Sequence, residues 1–272
     1  MAAKEKDMSF LDHVEELRWH LIRSTVVVFF LAIIAFLMKG FIFNTILFAP
    51  KDPNFITYRF FCKVSNYFGT DGLCINELPF TFQSLAMAEQ FSVHVWTSIT
   101  AGFIVAFPFI IWEFWKFISP GLYEKERKGA RAFIIISSFL FFLGVLFGYF
   151  VITPLSINFL GNYSISNLVE RNFKIDSYIS LVRSSVLASG LIFELPIIIY
   201  FLTKMGLVTP KFLRTYRKHA LVLVLILAAV ITPPDIISQV IVAIPILTLY
   251  EISIHISRIV QKKELKKQEN NG

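Results

Sequence analysis

Three sets of carboxylates stand where a carboxylate needs a reason. In SGLIFELPIIIYF, residues 189–201, Glu194 interrupts an apolar run two residues before Pro196. A charge at the centre of a bilayer costs at least about 2.5–3.5 kcal/mol on insertion scales, so such a group faces protein or water, or carries a proton. A proton relay, a substrate contact and a polar contact to a partner are all open to it. In SFLDHVEELRWHL, residues 9–21, Phe10, Val14, Leu17 and Leu21 recur at three- and four-residue spacing, and Ser9 with Asp12 nearly forms a capping box. This pattern predicts an amphipathic helix over 10–21, lying at the cytoplasmic face before the first membrane span, with Glu16 and His20 on its polar side. In FWKFISPGLYEKERKGAR, residues 114–131, Ser119-Pro120-Gly121 breaks the chain, and Glu124 and Glu126 follow among basic residues. Taken alone, Glu15, Glu16, Glu124 and Glu126 read equally as solubilising charge, with Glu15 and Arg18 an i,i+3 pair.

Other chemistry finds little support. The histidines at 13, 20, 94, 219 and 255 lack metal-ligand spacing, and two cysteines alone do not make a zinc site. Neither a Gly-x-Ser-x-Gly elbow nor a phosphate-binding glycine loop occurs. Ser189-Gly190 has no histidine nearby in sequence to activate it. The chain is read as a non-enzyme with no cofactor.

The elements that carry these residues are membrane segments. Hydrophobic residues make up 56% of the 272, and the mean hydropathy is +0.65; a soluble domain holds about 45–50%. The excess is gathered into six blocks, about 22–43, 91–113, 132–154, 177–202, 219–232 and 236–257. The first four reach the ~20 residues that span a bilayer core. The fifth is short, and Thr232-Pro233-Pro234-Asp235 turns it into the sixth, so a re-entrant hairpin and two short spans both fit. No cleavable signal-peptide pattern precedes the first block, which is expected to remain in the mature protein. The expected fold is all-α: a single polytopic membrane domain over 1–272, with a periplasmic connection at 44–90 and a basic tail at 258–272.

Charge orients the chain. With six spans, 19 of the 26 lysines and arginines fall on the side of the termini and 7 on the other, which puts both termini in the cytoplasm. The net charge of +7 is thereby read as orienting loops rather than a nucleic-acid surface. The outer connection holds Cys62 and Cys74 on either side of Gly69-Thr70-Asp71-Gly72, a turn signal; in an oxidising compartment a disulfide is expected across it. Pro108, Pro154, Pro196 and Pro245 fall inside predicted spans, where each invites a kink.

The motifs resemble one family. HVEELRWHL (13–21), FAP (48–50), WKFISPGLYEKER (115–127), FELP (193–196) and TPPDIISQ (232–239) are similar, in order, to the signatures of the TatC family of twin-arginine protein translocase subunits. The resemblance covers residues 8–258 and implies six spans in a curved, cup-shaped bundle in the bacterial plasma (inner) membrane. It implies a receptor for signal peptides bearing two adjacent arginines, which moves folded proteins across the membrane on the proton-motive force. The partners it implies are those signal peptides, single-span TatA/TatB-type subunits, other copies of the chain and the lipid bilayer. On this resemblance Glu16 and Glu126 receive the arginine pair, with Phe117 and Arg18 in the same site. Glu194 lies in the concave membrane face, Thr232 and Gln239 in a patch where partner helices dock, and Pro50, Pro120 and Asp235 serve structure. His20 departs from the pattern, standing where the family often has arginine or lysine. The physics agrees with this assignment: guanidinium pairs with carboxylate through two parallel bonds that lysine cannot reproduce. From the residues alone, the competing function is a proton-coupled transporter of small solutes with Glu194 as relay.

Overall fold

The computed structural model describes residues 10–67, 78–119, 130–166, 168, 170–232 and 235–271. Its helices are α1 (Phe10–Leu37), α2 (Ile56–Tyr67), α3 (Glu89–Ile118), α4 (Ala130–Phe147), α5 (Thr153–Asn162), α6 (Ile175–Ile192), α7 (Leu195–Lys204), α8 (Pro210–Thr215), α9 (Arg217–Ile231) and α10 (Ile236–Asn271). Two three-residue strands, β1 (Thr81–Gln83) and β2 (Asn172–Lys174), pair in parallel with Phe82 opposite Phe173. This is an all-α polytopic membrane protein. Among the described residues five helical segments are long and apolar enough to cross a bilayer: Val14–Leu37, Glu89–Ile118, Arg131–Asn162, Ile175–Lys204 and Ser238–Lys263. The fifth expected block is α9, whose 15 residues extend only about 22 Å at 1.5 Å per residue.

The chain divides into two compact units, Met1–Lys39 with His94–Phe139, and Gly40–Val93 with Leu140–Gly272. In the first unit the separate surface helix expected over 10–21 does not form. Phe10 to Leu37 is one continuous helix, because no glycine or proline interrupts that stretch. It packs on α3 through small residues: a Cβ on Gly102 would come within 2.7 Å of both Ala32 N and Val28 O, and Ala32 and Ala35 are the buried apolar side chains of α1. Further along, Phe36 stacks on the ring of His94 at 3.8 Å, and His94 Nε2 donates to the Phe36 carbonyl at 3.0 Å. Trp115 on α3 meets Phe133 on α4 with ring centroids 4.8 Å apart.

In the second unit, irregular backbone is tied off by side chains. The chain runs through a π-helical turn, Phe41–Leu47, and a 3₁₀ turn, Ala49–Lys51, with Pro50 buried. Carbonyls at such a helix end have no helical donor. Three tyrosines supply one: Tyr149 donates to Ile46 O at 2.7 Å, Tyr178 to Leu47 O at 2.9 Å and Tyr58 to Pro50 O at 2.8 Å. Burial pushes the Tyr58 hydroxyl well above its ordinary titration range, so it remains a donor. Pro154 cannot bond the Phe150 carbonyl four residues back, and the Thr57 hydroxyl takes that acceptor at 2.6 Å. The expected fourth span is broken in the same way. Pro196 lacks the N–H that would bond the Ile192 carbonyl, and α6 ends at Ile192 while α7 restarts at Leu195. Pro108 and Pro245, by contrast, sit inside unbroken helices. Gly144 and Gly148 let their segment lie directly on α6: a Cβ on either would come within 2.7 Å of the Ser189 or Ser185 carbonyl. Cys62, on α2, is disulfide-bonded; Cys74, the only other cysteine in the sequence, lies outside the described residues.

The contact at Gly102 yields a test. Gly102→Val drives new carbons into the backbone of α1, an overpacking worth about 1–3 kcal/mol, and should lower the midpoint of thermal unfolding in detergent. Gly40→Ala, where an added Cβ meets nothing within 4 Å, should leave it unchanged. Equal midpoints for the two variants would contradict the α1–α3 packing.

Candidate functional site

Among the described residues, ion pairs of the first unit gather around one point. Glu113 lies on α3 between Trp112 and Phe114, and its side chain is 2% exposed. An ion buried this far is retained only when opposite charges and hydrogen bonds replace its water. Three basic side chains gather there. His20 Nδ1 from α1 lies 2.7 Å from Glu113 Oε2, Lys116 Nζ lies 2.7 Å from Oε1, and Arg23 Nη1 from α1 lies 3.8 Å from Oε2. Aromatic rings hold two of these in place: Phe117 meets the His20 ring edge-on at 6.2 Å, and Lys116 Nζ sits 3.6 Å from the centre of the Trp112 ring.

Glu16 lies one turn before His20 on the same face of α1. It is half-buried, and its Oε2 is enclosed with no hydrogen-bond partner among the described residues. Arg18 is exposed and lines a shallow apolar groove along α1 with Val14, Leu17, Leu21, Ile22 and Val26. The structure thus places Glu16, Arg18 and Phe117 in one unit, with Phe117 reaching the cluster through His20. Glu126 and Pro120 lie outside the described residues.

The remaining sequence-predicted residues sit in the second unit. Glu194 occupies the break between α6 and α7 and is 7% exposed. Its backbone carbonyl accepts from Ile197 N and Ile198 N at 2.9 and 3.0 Å, which starts α7. Thr232 and Gln239 bind α9: the Thr232 hydroxyl donates to Ala228 O at 2.8 Å, and the Gln239 amide donates to Leu225 O at 3.0 Å. Asp235 caps α10, accepting from Ser238 N at 2.8 Å and Ser238 Oγ at 2.6 Å. Pro50 presents the carbonyl that Tyr58 binds.

The model of the family described as Sec-independent protein translocase protein (TatC) matches residues 12–245. This chain belongs to the TatC family. A TatC of Blattabacterium sp. subsp. Periplaneta americana is 44% identical over 266 residues, covering 97% of this chain and all of that one. A TatC of Halalkalibacterium halodurans is 36% identical, covering 97% of this chain and 96% of that one. A crystal structure of the twin-arginine translocase receptor TatC superposes with a TM-score of 0.68 at 33% identity, over 92% of this chain and 99% of that one. TatC proteins are subunits of the Sec-independent twin-arginine protein translocase, so the role of this chain is in protein transport rather than catalysis.

Sequence reasoning passed over Glu113. It stands at the end of the second apolar block, where it reads as the polar edge of a span. The signal that picks out Glu194, a carboxylate among apolar residues, was present there as well, with Trp112 before it and Phe114 after. Asp235→Ala removes the cap of α10 and should cost about 0.5–2 kcal/mol, read as a lower thermal midpoint that Asp235→Asn largely restores. A midpoint unchanged by Asp235→Ala would contradict the capping role.

Proposed function

We propose that this TatC protein is the receptor of its translocase, and that it binds signal peptides with adjacent arginines before folded cargo crosses the membrane on the proton-motive force. The supporting observation is Glu16. An enclosed carboxylate oxygen without a donor is costly, and a guanidinium is the donor that fits it best. Glu126 is the second acceptor, so that two arginines meet two carboxylates. Six spans in the bacterial plasma membrane, with both termini cytoplasmic, put this site on the side where signal peptides are made. Glu194 supplies a polar group to the membrane-embedded face, and Thr232 and Gln239 mark the corner where single-span TatA/TatB-type subunits dock.

Binding of Arg-Arg and Lys-Lys signal peptides to the protein in nanodiscs tests this reading. A charge-assisted hydrogen bond is worth about 1.5–3 kcal/mol, so Glu16→Ala and Glu126→Ala should each weaken the Arg-Arg peptide about ten- to a hundredfold. Glu124→Ala should change it little, and the Lys-Lys peptide should bind weakly to every variant. Equal losses for both peptides would show that the carboxylates act as diffuse charge and would refute bidentate recognition.

A further inference from the structure

The cluster around Glu113 has a consequence for Glu16. On α1, Glu16 and His20 are four residues apart, with the glutamate first. On a helix this is the orientation in which a carboxylate and a cation attract. Left to itself, His20 would be the nearest donor for Glu16. In the structure it is engaged elsewhere: its Nδ1 is bonded to Glu113 Oε2 at 2.7 Å, its side chain is 12% exposed, and Phe117 meets the other side of the ring. Glu16 Oε2 is correspondingly without a partner among the described residues.

We propose that Glu113 is a positioning residue for recognition: it draws His20 away from Glu16 and so keeps the Glu16 carboxylate open for an incoming guanidinium. The inference rests on the signal-peptide reading above. The other two cations fit this role. Lys116 is held between Glu113 Oε1 and the Trp112 ring, both on its own helix. Arg23 lies seven residues beyond Glu16, about 10.5 Å along the axis, and its head group approaches Glu113 at 3.8 Å. One buried carboxylate therefore faces all three basic side chains, and among the described residues none of them bonds Glu16 Oε2.

Signal-peptide binding in nanodiscs tests the proposal through a rescue. Glu113→Gln keeps the shape but loses the charge that holds His20. His20 should then turn to Glu16, and the Arg-Arg peptide should bind about five- to twentyfold more weakly, the scale of one competing charge-assisted bond. The double variant Glu113→Gln/His20→Gln removes the competitor and should bind within about threefold of the parent, since the Lys116 and Arg23 head groups it leaves behind are 38% and 58% exposed and stay hydrated. A purely structural role for Glu113 would give no such rescue. Undiminished binding by Glu113→Gln would overturn the proposal, as would a double variant as weak as the single one. Should Glu113→Gln fail to fold, the double variant decides alone: near-parental binding supports the proposal and a tenfold loss overturns it. A parent protein that binds Arg-Arg and Lys-Lys peptides equally would instead bring down the signal-peptide reading itself, and the proposal with it.

Discussion

A carboxylate with its water removed must find cations, and in the first unit that requirement decides where α1 lies. Glu113 is inside an apolar helix, and two of its three basic partners come from α1. The His20 contact is the specific one, because it is short and nearly dry. Exposed ion pairs contribute little, but removing one partner of a buried pair leaves a stranded charge and costs far more. Together with the close approach at Gly102, it fixes both ends of the contact between the helices. One end is set by steric fit and the other by charge. The rotation of α1 about its own axis follows from these two points, and with it the direction in which Glu16 points.

The second unit answers the same demand with neutral groups. At four carbonyls that proline or a change of helical pitch leaves without an N–H, a hydroxyl takes the place: Thr57 on Phe150, Tyr149 on Ile46, Tyr178 on Leu47 and Tyr58 on Pro50. Irregular backbone inside a membrane protein is tolerated only where protein supplies such partners. The two units therefore serve different ends with one rule. Satisfied hydroxyl–carbonyl bonds make the second unit a firm scaffold around its turns. In the first unit the ionic cluster is satisfied, while the neighbouring Glu16 Oε2 has no partner among the described residues, and a carboxylate in that state can respond to a ligand.

How much of this was legible beforehand depends on range. The apolar blocks announced the helices, because a span declares itself by local composition, and Pro196 announced the break next to Glu194. Asp235 was legible as a turn residue, its capping partner being three residues away. Glu113 was not, since its ligand His20 lies 93 residues distant and pattern alone cannot pair them. Nor was the continuity of α1. The polar face over 10–21 looked like a separate surface helix, whereas good helix formers without glycine or proline simply carry on into the span. The parallel β1–β2 pair escaped for a related reason: three-residue strands 91 positions apart carry no periodicity to read.

The account stands on the claim that this face of α1 receives the arginine pair. Placing a photo-crosslinking residue at Trp19, exposed and one helical turn from Glu16 on the same face of α1, tests it most directly, with a second probe at Leu168 in the other unit as control. A labelled twin-arginine signal peptide should crosslink from position 19 and not from 168. An excess of unlabelled Arg-Arg peptide should abolish that crosslink, and an excess of Lys-Lys peptide should spare it. A crosslink from both positions alike, or one displaced equally by the two competitors, would contradict the account.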